Sequence, residues 1–555
     1  MKNFRKNQGI TLIALVITVI VLLILAGVTI ATLTGDNGIL TRAQQAKNET
    51  EQAEKEEKEK LGDMEDIINE YATGIKIEQV TDENPGVLEG TGTNDDPYVI
   101  NSIEDLVVFA SDVRNGNTYE EKTVKLGLSL DFSSNKSYVD PLRTDYGEYG
   151  YDGELKTLLT TGEGFIPIGK YDVQEGTNEN IVSQNNFEGI FDGNDNLIGN
   201  LYINKIGESE IEEIGFFANN CGEIKNLGLI DANIYVNGET MITGGIAGAT
   251  FGNITGCNVT GKIKCDGTLW SMVGGITGIA RKDLQIIECS NRANITINNI
   301  GETGQAVAAG IVGNTEQTDN DVEINKCYNS GTIYGYSEKK IVYTGGITSG
   351  LRNGKIMNCY NTGKIEGKVN NNNTDMICIG GILGNILADN EIRNCYNIGE
   401  IIFDGEVDSS EIYIGGIVGY SLDPDISSVY NAKKIKINGQ NSNIRVGGLV
   451  GFFSNRLSYG YNIGKIVAEN TTSENIGSLV GNKGSSTVLE KCYYLKGTYS
   501  KAIGKLNDPT DENNDVTELK NVTDFPNILD VINGEGMFKE DTNNINNGYP
   551  ILNWQ

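Results

Sequence analysis

The chain has 555 residues, with 70 glycines but 8 prolines, and carries a formal charge of −31. Glycine enrichment without proline fits many tight turns between short strands and excludes collagen, while the acidity argues against nucleic acid or an anionic membrane surface as partner. Histidine is absent, so Ser-His-Asp and Cys-His couples and the common histidine-bearing zinc sites cannot be built.

From Ile10 to Thr34 the chain is an uncharged apolar run. As a helix it would span about 37 Å at ~1.5 Å per residue, enough for a ~30 Å hydrocarbon core. Lys2, Arg5 and Lys6 precede it, and the positive-inside tendency keeps them cytoplasmic, with everything after Thr34 outside. A cleaved secretory signal is the rival, but its apolar stretch is shorter and ends at an A-x-A-like site. The run Lys6-Asn7-Gln8-Gly9-Ile10-Thr11-Leu12-Ile13 resembles instead the prepilin class of leader. That resemblance implies a prepilin-type peptidase cutting between Gly9 and Ile10 and leaving the helix in the mature protein. The family usually has Glu at the fifth mature position, where this chain has Ala14. The change speaks against assembly into a pilus and leaves anchoring untouched.

After Gly35-Asp36-Asn37-Gly38, the stretch to Tyr71 reads as a helical stalk. Glu51–Lys55, Glu54–Lys58 and Glu56–Lys60 are i,i+4 pairs in the favourable order, each contributing ~0.2–0.5 kcal/mol. Leu61, Met64, Ile67, Ile68 and Tyr71 add a short apolar stripe, as expected of a helix docking on the next domain or of a solvated linker.

Self-similarity organises the rest. Gly-Gly-aliphatic anchors stand at Gly244-Gly245-Ile246, Gly274-Gly275-Ile276, Gly345-Gly346-Ile347, Gly380-Gly381-Ile382, Gly415-Gly416-Ile417 and Gly447-Gly448-Leu449, with degenerate copies ending at Phe216, Ile311 and Leu479. A second anchor, such as Asn358-Cys359-Tyr360-Asn361-Thr362-Gly363-Lys364-Ile365, keeps step with the first. Each repeat holds three β-favouring pieces of up to about six residues: around the Gly-Gly, ending at Cys-Tyr-Asn, and at Lys-Ile. Such a unit buries an apolar face only by stacking on its neighbours, which predicts a parallel β-helix with coils ~4.8 Å apart. A β-propeller blade needs four strands in a longer repeat. Nine anchors imply a rod of about 43 Å.

The paired anchors resemble the GLUG-motif repeats of bacterial surface proteins. Gly90-Thr91-Gly92-Thr93, Asp96-Pro97-Tyr98-Val99-Ile100 and Phe187-Glu188-Gly189-Ile190-Phe191-Asp192-Gly193-Asn194 are similar to the lead-in of those proteins. The resemblance covers roughly residues 90 to 500 and implies surface exposure and, in some members, adhesion.

Recurring residues carry the remaining expectations. Cys257, Cys289, Cys327, Cys359, Cys395 and Cys492 share one repeat position with Val429 and Gly460, so they read as a buried core ladder; in-register Cβ atoms ~4.8 Å apart lie outside the ~3.5–4.5 Å a disulfide prefers. Tyr328, Tyr360, Tyr396, Tyr430, Tyr461 and Tyr493 form either a stabilising aromatic ladder or, if exposed, a platform for sugar rings; the structural role is favoured. Asn329, Asn361, Asn397, Asn431 and Asn462 follow them as turn residues able to adopt αL geometry and form amide ladders. Asp192 and Asp195 are the most tempting acid pair for polysaccharide cleavage, but their context is turn chemistry first. Calcium at Asp95-Asp96 or at 511–515 lacks EF-hand spacing.

The expected architecture is all-β: a right-handed parallel β-helix (β-solenoid) preceded by one long N-terminal transmembrane/stalk α-helix. Its parts are a prepilin-like leader at 1–9, a transmembrane helix at 10–34, an extracellular helical stalk at 35–74, N-terminal coils at 75–205 with a loop at 133–163, GLUG-type repeats at 206–495, and a cap over the last coil at 496–555. No catalytic residue, metal site or cofactor is assigned. The expected protein is a single-pass, non-enzymatic surface protein, structural or adhesive, meeting an extracellular glycan or a host or cell-surface protein. A minor pilin-like subunit of a filament or secretion system and a polysaccharide-active β-helix enzyme are the alternatives.

Overall fold

In the computed structural model the described residues run from Gly86 to Gln555, except 87, 133–163, 171–184, 208–210, 302–303, 316–320, 339–340, 370–375, 387–389, 406–410, 440–442, 472, 486, 508–513, 522–523, 526–528, 530–531 and 533–535. The leader with its Gly9–Ile10 cut, the apolar helix, the stalk and the 133–163 loop lie outside them. Among the described residues no helix is long and apolar enough to cross a membrane.

One coil shows the plan. Ile341–Gly345 passes through a Gly-Gly bend into Thr348–Leu351, and Gly354–Met357, Tyr360–Asn361 and Ile365–Val369 complete the circuit. The next coil starts at Met376–Gly380. Pairing between coils is parallel and in register: Gly345 meets Gly380, Thr348 meets Leu383, Tyr360 meets Tyr396, and Ile365 meets Ile401. Among the described residues nine strands stack on the face before the Gly-Gly bend and ten on the face after it; the other pieces merge into a 27-stranded sheet, apart from the antiparallel pair Phe538–Lys539 and Ile551–Leu552. The molecule is thus a parallel β-solenoid of about nine turns. Stacking satisfies the backbone groups that a single coil would leave open.

Two expectations about the pieces are corrected. The Gly-Gly does not sit within one strand: its first glycine ends a strand, and its second, with the aliphatic residue after it, forms the bend into a strand of a different sheet. Nor are all strands short, for Gly228–Gly238 and Asn258–Gly267 run through a corner as single elements. A register shift between Leu229 and Ala232, with Gly261 at φ 112° opposite, turns the ribbon without ending its pairing, as a bulge does.

The bend before each cysteine position is a column of left-handed residues. Asn226, Gly256, Glu288, Lys326, Asn358, Asn394, Ser428, Tyr459 and Lys491 have φ between 50° and 64°. The αL residue therefore stands three positions before the asparagine expected to adopt it. For residues with a Cβ this conformation costs roughly 1–2 kcal/mol each, and the parallel ladders on either side hold it.

Inside, aliphatic columns follow the same register. Ile286, Ile324, Ile356, Ile392 and Ile426 stack along one wall, and Ile295, Ile333, Ile365, Ile401 and Ile435 along another. All are buried in one continuous core, each contributing about 1.5–3 kcal/mol relative to exposure.

The N-terminal end differs from the all-β expectation. Ile103–Arg114 is an α-helix, α1, opened by a capping box: Ser102 Oγ accepts the Asp105 N–H at 3.1 Å, and the Asp105 carboxylate accepts the Ser102 N–H at 3.0 Å. Ile103, Leu106, Phe109, Ala110 and Val113 bury in the solenoid core, with Phe109 against Tyr119 at 5.0 Å and Phe191 at 5.8 Å. In sequence α1 falls between Tyr98–Ile100 and Thr123–Leu126, which pair directly. It stands where a later coil has all its remaining strands, and adds its apolar face to the first coils of the core.

Candidate functional site

The cysteines form the expected core column. Cys395 pairs in register with Val429, and Val429 with Gly460. Each thiol points inward and donates to a carbonyl of the preceding coil, Cys327 to Ile286 O at 3.4 Å and Cys359 to Ile324 O at 3.5 Å. Burial pushes the Cys327 and Cys359 thiols up, and that of Cys492 to about 12. All nine cysteines are free, and Cys221 alone is not fully buried. Those of the column serve as packing groups.

The asparagines do more than turn the chain. Asn291, Asn329, Asn361, Asn397, Asn431 and Asn462 are wholly buried. Each Nδ2 donates to the next Oδ1, at 2.8, 2.8, 2.8, 2.9 and 2.9 Å in order. The same amide also donates to the carbonyl two residues on, for instance Asn361 to Gly363 O at 2.8 Å. The second glycine of the Gly-Gly lies against this column: a Cβ on Gly346 would overlap the Gly381 carbonyl and meet Asn361 Cβ at 2.6 Å. That contact explains why the two sequence anchors stay in step.

The tyrosines stack face to face. Ring centroids from Tyr328 through Tyr360, Tyr396 and Tyr430 to Tyr461 are 4.9–5.0 Å apart, with planes within 8° of parallel. Each inner ring thereby spends both faces on its neighbours, which leaves no face for a sugar. At the open end the Arg292 guanidinium lies 5.9 Å from the Tyr328 ring and donates to its hydroxyl at 2.7 Å. Burial raises the Tyr360 phenol to about 12 and pushes Tyr396 up further.

What buries the column is the C-terminal segment. Phe525, Ile532, Phe538 and Leu552 join Tyr396, Tyr430, Tyr461 and Tyr493 in one cluster. The Asn546 amide donates to Tyr461 Oη at 2.8 Å, Tyr461 donates to Pro550 O, Tyr430 donates to Gln555 Oε1 at 3.0 Å, and the Trp554 ring lies 5.6 Å from Tyr396. The expected cap over the last coil is therefore corrected. From Phe525 onward the described residues of the segment pack along the tyrosine edge, on Tyr396, Tyr430, Tyr461 and Tyr493.

Asp192 ends a strand, in register between Lys125 and Lys225, and its side chain holds the turn in which Asp195 stands. Asp192 Oδ1 accepts the Asn194 N–H at 2.8 Å and the Asn226 amide at 3.1 Å, and exposed Asp195 sits at φ 59°. Asp95 and Asp96 are exposed on a turn. Among the described residues no three Cys, Asp or Glu side chains converge as a metal site; 511–513 lie outside them.

Sequence reasoning missed a third assembly. At the Gly-Gly bend the outer faces of the two sheets meet, burying Ile242, Ala249, Met272, Ile279 and Val307 away from the main core. At one end of this corner Arg281 pairs with buried Glu213 at 2.6 Å, and Asn219 donates to the same carboxylate at 3.0 Å. Further along, Tyr413, Tyr420 and Phe452 pack at 4.6 and 5.3 Å, with Arg445 4.8 Å over Tyr413. Burial and the adjacent Glu411 carboxylate hold the Tyr413 phenol well above its ordinary value. The signal was present, as apolar or aromatic residues three before and four after the second anchor glycine, such as Ile242 and Ala249.

No protein-family model matches the chain. Halomucin from Haloquadratum walsbyi is 25% identical over 208 residues, 37% of this chain, so the chain spans 2% of that relative's length. A solved structure from Bacteroides ovatus, named a putative immunoglobulin A1 protease, aligns with a TM-score of 0.34 and 16% identity over 84% of this chain and 95% of that one. By its own coordinates the chain is a repeat protein of the parallel β-solenoid class.

Proposed function

We propose that the chain is a non-enzymatic surface scaffold: a right-handed β-helix of GLUG-type repeats, processed between Gly9 and Ile10 by a prepilin-type peptidase and held in the cell membrane by helix 10–34. Its outward-facing parts meet an extracellular glycan or a host or cell-surface protein. One observation carries the reading. The residues repeated in register are spent on internal ladders of Cys, Asn and Tyr, whereas the connections between coils vary in length, from Gly238–Thr240 to Val369–Met376. A scaffold with a constant interior and variable edges suits display, not turnover. The test is protease shaving of intact cells with N-terminal sequencing of the mature chain. Release of solenoid peptides and a mature N-terminus at Ile10 are expected; a protein resistant until lysis would refute the assignment.

The Lys6–Ile13 leader also supports a second reading, a minor pilin-like subunit of a filament or secretion system. Recovery in sheared filaments would establish it, and retention with membranes would favour the simple anchor. Turnover of a polysaccharide abolished by Asp192→Ala would establish an enzyme instead.

A further inference from the structure

The last coil of the solenoid ends unlike the others. Its strands Ile503–Leu506 and Asn514–Leu519 pair on one side only among the described residues, with Val480–Lys483 and Val488–Leu495. The inward columns open there too. Val418, Val450 and Val480 are wholly buried, but the next member of their column, Ile503, is half-buried. Cys492 is wholly buried, and its register partner Val516 is half-buried. The described residues from Phe525 onward pack on the tyrosine edge instead. At the opposite end α1 buries its apolar face in the first coils, so the two ends are not alike. An unpaired strand edge is a template for another chain.

We propose that this end is a self-association surface whose partner is the same end of a second copy, the two solenoids meeting tail to tail across a two-fold axis. Three observations select that partner. Open strand edges over half-buried core side chains are what a further coil of the same kind completes. With α1 over the first coils, the tail of one copy finds no matching edge on the head of another, so the contact closes as an isologous pair and does not grow into a filament. The rim of the last coil is also divided by sign. Exposed Lys496, Lys501 and Lys505 lie on the arc through Ile503–Leu506, and exposed Asp515 and Glu518 on Asn514–Leu519, with Lys520 just beyond. A two-fold axis between the two strands sets Ile503–Leu506 of each copy antiparallel to Asn514–Leu519 of the other, lysine arc against acidic strand. The contact is therefore attractive despite the chain's −31. Each copy contributes one four-residue and one six-residue strand, a contact at the small end of protein pairs, so the association is reversible and concentration-dependent.

Sedimentation velocity of the full chain in mild detergent, over a concentration series, is expected to show a monomer–dimer equilibrium. Lys501→Glu with Lys505→Glu, and separately Asp515→Lys with Glu518→Lys, should each weaken self-association at least about tenfold, because like charges then face each other on both sides of the axis. An equimolar mixture of the two variants should restore dimerisation, since every facing pair is again opposite in sign. All four positions are exposed, and circular dichroism melts identify a variant that fails to fold. The Asp515 carboxylate accepts the Lys491 N–H at 3.2 Å, so the lysine variant alone decides if the acidic one melts early. A chain that stays monomeric at every concentration, dimerisation that the lysine variant leaves unchanged, or a mixture of two folded variants that stays monomeric would overturn the proposal. So would oligomers that grow beyond the dimer.

Discussion

Replacing Asn361 by Asp is nearly isosteric, yet it reverses the hydrogen-bonding sense of the inner ladder. Asn361 Nδ2 donates to Asn397 Oδ1 and to Gly363 O, each at 2.8 Å, and its Oδ1 accepts from Asn329 at 2.8 Å. An ionised Asp keeps the acceptance and loses both donations, so that a buried carboxylate faces two carbonyl oxygens. Losing the two bonds accounts for about 2–3 kcal/mol net, and enclosing an unpaired charge adds several more. Asn361→Ala loses all three bonds without introducing charge and is expected to cost about 2–4 kcal/mol. The two variants therefore separate by pH. Burial and neighbouring acceptors raise the folded-state pKa of the new Asp above its unfolded value, so its stability is greatest below the unfolded pKa and falls as pH rises through the folded one. Urea titrations of the full chain, followed by far-UV circular dichroism, would compare both variants in acid and at neutrality. An Asn361→Asp protein as stable at neutral pH as the alanine variant, or one whose stability does not improve in acid, would refute the ladder as an energetic element.

Three further outcomes follow from the columns. Ser428→Asn should stabilise the solenoid by about 1 kcal/mol: Ser428 sits at φ 53°, which asparagine tolerates, and the new amide can donate to Asn394 Oδ1, buried without a partner one coil earlier; a lower urea midpoint would contradict this. Tyr461→Phe removes the hydroxyl that holds both Asn546 and Pro550, and should cost about 1–3 kcal/mol while making the segment after residue 536 an early site of limited proteolysis. Cys359→Val should lie within about 1.5 kcal/mol of the parent because the position already accepts Val429, whereas Gly346→Ala, which drives a methyl into the Gly381 carbonyl, should destabilise severely; equal melts for the two would overturn the packing argument.

The repeat architecture was legible because stacking makes identical demands on every coil. Cys327, Cys359 and Cys395 occupy one position for the same physical reason, and so do Asn329, Asn361 and Asn397, which is why sequence periodicity locates both ladders. Helix α1 was legible too and was missed: Ser102 and Asp105 carry the capping signal, and Ile103, Leu106, Phe109, Ala110 and Val113 the 3.6-residue spacing. Expecting strands throughout overrode it. The αL column was misplaced because asparagine is a good guide to left-handed geometry only where it stands alone; beside a second asparagine, and with Lys326, Glu288 and Tyr459 at the equivalent bends, the repeat frame is the better guide.

By itself, the order of residues determined that this chain stacks, how often it turns, and which side chains meet their own copies one coil later, because those are nearest-neighbour relations repeated along a line. Only the tertiary structure decided that Trp554 and Gln555 lie on Tyr396 and Tyr430, over 100 residues away in sequence, and that the outer faces of two sheets close into a second core. Those contacts join parts of the chain that share no period, and they depend on how sharply each bend turns, a quantity set by packing across the whole coil.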